Sequence, residues 1–68
     1  MKLKKLLYEV KMNVNVIIRN GDITVIDGTV IDVLTSDKFE ELKNREISSI
    51  NVINNSLMVM LVPLTIVI

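Results

Sequence analysis

Two asparagine-led turn pairs, Asn20-Gly21 and Asn54-Asn55, each divide a stretch of β-branched residues into two arms. A two-residue type I′ hairpin turn needs φ > 0 at both central positions, which Asn and Gly tolerate best. Before the first pair, Met12, Val14, Val16 and Ile18 alternate with Asn13, Asn15 and Ile17; after it comes Ile23-Thr24-Val25-Ile26. This predicts a hairpin over about 12–27, with arms at 12–19 and 22–27. The second pair separates Ile47–Ile53 from Leu57–Val62, which predicts a hairpin over about 47–62. Composition agrees. Ile and Val supply 20 of 68 residues and Ala is absent, and branched side chains suit a pleated surface.

Two segments break this period of two. Leu3, Leu6, Leu7 and Val10 fall on one face of a helix, with Lys2, Lys4, Lys5 and Glu9 opposite. A short N-terminal helix at about 2–9 follows. Between the hairpins, Thr29 and Asp32 have capping-box spacing, as do Asp37 and Glu40, with Ser36 or Asp37 as the second cap. Val30, Ile31, Val33, Leu34, Phe39 and Leu42 supply an apolar stripe, and Asn44 is placed to end the helix in the left-handed region. A central helix at about 30–44, kinked near Ser36, is expected. The predicted fold is α+β: a small antiparallel sheet of two hairpins with two helices, in one domain of residues 1–68.

So short a chain buries only about 60% of the surface that its unfolded form exposes. Small domains often need a disulfide, a metal or a partner chain. This one has no cysteine and no histidine, which excludes disulfides and thiolate or imidazole metal sites. Oligomerisation is the remaining staple. Residues 47–68 carry no charge at all. In the last arm, Leu57, Val59 and Leu61 alternate with Met58, Met60 and Val62, so both faces are apolar and burial on both is expected. After Pro63, Leu64-Thr65-Ile66-Val67-Ile68 continues as an apolar tail. The expected interface of a homo-oligomer is therefore Leu57, Met58, Val59, Met60, Leu61, Val62, Leu64, Ile66 and Ile68.

The missing residue types also bound the chemistry. Ser-His and Cys-His nucleophile pairs are impossible, and no lysine lies in an apolar segment where burial would activate it. No enzymatic activity and no cofactor are expected. Asp22, Asp27, Asp32 and Asp37 recur at a five-residue step, which shares no face of a helix or strand; turn and cap duty explains them better than a cation site. Polar groups suited to a ligand are Arg19, Arg45, Ser48, Ser49 and Asn51, with Tyr8 as a stacking ring. Residues 1–20 carry a net charge of +4, through Lys2, Lys4, Lys5, Lys11 and Arg19 against Glu9, and residues 21–46 carry −4. The zero total argues against nucleic acid as a partner. The apolar run 57–68 is too short to span a membrane, which takes about 20 residues, and no signal peptide is evident. A cytoplasmic protein is expected.

The segments GDITVIDGT and FEELKNREISSINVINNSLMVML, within residues 19–61, resemble small proteins encoded by phages and prophages of AT-rich Gram-positive bacteria. The resemblance brings no catalytic or binding residues. Together with the missing catalytic groups, the small size and the apolar C-terminal third, it leads to the expectation of a small non-enzymatic protein that assembles with itself and acts on a host macromolecule. The alternative is an oligomeric sponge that holds a nucleotide signal of host defence in pockets between subunits.

Overall fold

The computed structural model describes residues 1–63. Its elements are α1 (Leu3–Glu9), β1 (Asn15–Asn20), β2 (Ile23–Thr29), α2 (Val30–Leu34), α3 (Phe39–Leu42), β3 (Ile47–Ile53) and β4 (Ser56–Leu61). The α+β class and both hairpins are as the sequence predicts. The expected interface residues Leu64, Ile66 and Ile68 lie outside the described residues.

The sheet is mixed, not antiparallel throughout. Its order is β2-β1-β4-β3. Each hairpin is antiparallel internally, but β1 and β4 meet in parallel, Val16 opposite Leu57 and Ile18 opposite Val59. The cause lies in the connection. Residues 30–46 lead from β2 on one edge to β3 on the other, and their helices carry the chain back across one face. β3 therefore sets out in the direction of β2, and β4 must return alongside β1.

The central helix is two short helices. Around the break, Thr35 Oγ1 donates to the Ile31 carbonyl at 2.8 Å and the Ser36 hydroxyl accepts from the Lys38 N–H at 3.2 Å. Hydroxyl side chains here compete with the helical ladder. Ser36 thus satisfies a free N–H ahead of α3, whereas Asp37 and Glu40 form no box. Asn44 does not enter the left-handed region; among the described residues only Asn54 and Asn55, besides the glycines, have positive φ.

The first hairpin starts at Asn15 rather than at Met12. The Met12 and Val14 carbonyls accept from the Ile31 and Val30 N–H groups instead of joining a ladder, so they serve the otherwise unpaired N-terminal donors of α2. Its turn also differs. Asn20 pairs with Ile23, so the central residues are Gly21 and Asp22, and only Gly21 has positive φ (64°). That is the type II′ pattern, with Gly first. The second turn is as expected: Ile53 pairs with Ser56, and Asn54 and Asn55 have φ 49° and 65°.

β2 runs directly into α2 through a complete capping box. The Asp32 N–H donates to Thr29 Oγ1 at 3.3 Å, and the Thr29 N–H donates to Asp32 Oδ2 at 3.1 Å. The backbone bond from Thr29, then its side chain, holds the Asp32 carboxyl below its ordinary value. A depressed carboxyl stabilises the fold above its unfolded-state value and loses that contribution as pH falls through the folded one. Asp32→Asn is therefore expected to flatten the acid limb of stability against pH, while leaving the slope above neutrality unchanged. Thermal melts between pH 7 and 2 check this.

All three helices contribute to one face of the sheet. Leu3, Leu7, Val30, Val33, Phe39 and Leu42 pack there on Val16, Ile18, Val59 and Leu61. The opposite face carries no helix among the described residues.

Candidate interaction surface

The open face is built by strand alternation. Thr24, Arg19, Met60 and Ser49 form one cross-strand row; Asp27, Ile17, Met58 and Asn51 form the next. Its centre is apolar, with Ile17, Met58 and Met60 half-buried by their neighbours. Both sides of β4 are apolar, as the sequence shows, but only one is buried. Val59 and Leu61, expected at an interface, lie in the chain's own core, and Leu57 packs against it. What β4 offers a partner is Met58, Met60 and, past its end, Val62.

The six candidate ligand residues do not converge within the chain. Arg19 and Ser49 share a row on the open face, flanking Met60, and Asn51 stands one row away. The Arg19 Nη2 donates to the Asp22 carbonyl at 2.7 Å, which ties it to its own hairpin turn. Ser48 sits at an irregularity of β3, between Ile47 and Ser49. Arg45 precedes β3, and its Nη2 donates to the Val62 carbonyl at 3.0 Å, where it clamps the exit of β4. Tyr8 belongs to the helix layer, edge-on to Phe39 with ring centroids 6.5 Å apart. No cavity and no cluster of carboxylates suited to a metal is found among the described residues, and no helix there is long and apolar enough to cross a membrane.

The N-terminal lysines gain company. The Leu3 and Lys4 N–H groups donate to the Arg45 and Lys43 carbonyls, each at 2.9 Å, which brings the start of α1 beside the end of α3. Lys43 is itself paired with Glu40 at 2.8 Å. The hydrogen bond and charge of Glu40 raise the Lys43 ammonium above its ordinary value, so that pair contributes below the ordinary value and is lost as pH rises through the raised one.

The surface that sequence reasoning missed is β3. Ile50 and Val52 lie on the helix side, opposite Val59 and Leu57, yet they are 41% and 72% exposed, and Ile53 on the other side is 42% exposed. The helix layer stops short of this strand. Ile50 and Val52 alternating with Ser49 and Asn51 read like any half-buried strand; only the order of strands puts them at an edge.

The chain matches no protein-family model, no curated protein and no solved structure.

Proposed function

We propose that this protein is a non-enzymatic interaction module that works as a homo-oligomer, with the exposed edge strand β3 as its association surface. The exposure of Ile50, Val52 and Ile53 on an uncharged edge strand carries this reading. Apolar side chains grouped on an edge strand gain free energy by leaving water, at roughly 25 cal/mol per Å², and the outward-facing backbone beside them gains hydrogen bonds. Self-association also supplies the stapling that a 68-residue chain without cysteine otherwise lacks. The lack of His and Cys supports a binding role rather than catalysis. A phage or prophage origin, with a host macromolecule as target, is part of the proposal and rests on the resemblance of residues 19–61.

Light scattering at micromolar protein tests the oligomer. The expected mass is a whole multiple of 7.7 kDa. A single 7.7 kDa species across that range would overturn the reading.

A further inference from the structure

We propose that two copies join β3 to β3, antiparallel about a two-fold axis centred on Asn51, so that the two sheets become one. This rests on the self-association reading above and names its geometry.

The two edges of the sheet are treated differently. β2 is guarded in the ways that discourage edge pairing. Asp27 brings charge within the strand, the ladder to β1 is interrupted between Ile18 and Arg19, and the Lys38 ammonium donates to the Val25 carbonyl at 3.1 Å. β3 has no charge, no proline and no such cover over residues 49–53 among the described residues. At its start the edge is occupied, because the Ile47 N–H donates to the Met1 carbonyl at 2.9 Å and Lys2 bridges Glu46. The free stretch is thus residues 49–53, and its midpoint is Asn51.

The backbone pattern agrees with that centre. The two-residue turn makes Ile53–Ser56 a hydrogen-bonded pair, and alternation makes Asn51–Met58 and Ser49–Met60 hydrogen-bonded pairs too. The N–H and C=O groups of Ile50 and Val52 are then directed at the free edge. Under the two-fold, Ile50 of one copy faces Val52 of the other, twice, in hydrogen-bonded pairs, while Asn51 faces Asn51 in a non-bonded pair. The same residues carry the exposed side chains, so backbone pairing and apolar burial coincide. A second copy is the fitting partner because an uncharged segment gains nothing from a charged one and repels nothing in its own image.

Paired substitutions test the register as well as the edge. Ile50 and Val52 are exposed enough that lysines there stay solvated in a single subunit. Ile50→Lys with Val52→Lys sets four like charges across the joint, and the mass by size-exclusion chromatography with light scattering is expected to fall to that of one folded chain. Ile50→Lys with Val52→Glu sets Lys opposite Glu in both pairs, and the mass is expected to return to twice 7.7 kDa. Circular dichroism melts of both variants confirm folding.

An oligomeric parent whose mass neither pair changes would overturn edge pairing and leave self-association standing. A Lys/Glu variant as fully dissociated as the Lys/Lys variant would overturn the register. A single-chain parent would overturn both readings; if deleting residues 64–68 then produced a dimer, the edge would be assigned to the chain's own C-terminal segment.

Discussion

Replacing Ile18 with alanine is expected to remove most of the stability of the fold, whereas the same change at Ile17 costs less than about 1 kcal/mol. Ile18 sits on the inner of the two central strands' shared face, between Ile26 on β2 and Val59 on β4, and is fully buried. Deleting its outer carbons loses their transfer free energy and leaves a cavity, about 2–5 kcal/mol together. A chain of 68 residues has a total stability of roughly 0.05–0.15 kcal/mol per residue, so such a loss rivals the whole. Ile17 points to the open face and, among the described residues, has no helix above it. Urea titrations at one fixed protein concentration measure both changes. Equal losses at the two sites would mean that the open face is as deeply buried as the helix side. Fixed concentration matters because self-association adds to apparent stability by mass action.

Gly28→Ala is the second large effect, expected to destabilise by about 1–3 kcal/mol through backbone strain. Gly28 has φ 144°, which side-chain-bearing residues rarely adopt, and a Cβ there would lie 3.2 Å from both Asp32 Cβ and Asp32 Oδ2. Relieving that contact moves Asp32 away from Thr29, so the capping box fails along with the strand end. The position is tight because β2 passes into α2 without a loop residue between them. A Gly28→Ala protein with an unchanged denaturation midpoint would show that the turn from strand to helix has slack that the geometry denies. Gly21→Ala is a useful contrast, since nothing among the described residues lies within 4 Å of a Cβ there and its φ of 64° is what opposes the change.

Local chemistry in this chain was legible wherever it was decided locally. The α1 stripe, the Thr29–Asp32 box and the Asn54-Asn55 turn each follow from a few adjacent residues. The first turn was misplaced by one residue because Asn20-Gly21 and Gly21-Asp22 both suit a two-residue hairpin, and strand register chooses between them. The parallel meeting of β1 and β4 was invisible because it is set by the path of residues 30–46 across the sheet, not by any residue in the two strands. The same applies to the candidate surface. Residues 57–62 have the greasier sequence, but strand order places β4 inside the sheet, where Val59 and Leu61 fill the core, and leaves the more modest β3 at the edge. Arg19, Arg45, Ser48, Ser49, Asn51 and Tyr8 share chemical type but no local pattern, and the fold spreads them over both faces and the strand ends.

Isotope-filtered NMR on a mixture of labelled and unlabelled chains bears most directly on the proposed joining of two copies, since it reports contacts between chains only. The expected result is cross-chain signals between the methyl groups of Ile50 and Val52. Cross-chain signals confined to Ile17, Met58 and Met60, with none from β3, would contradict the joined sheet.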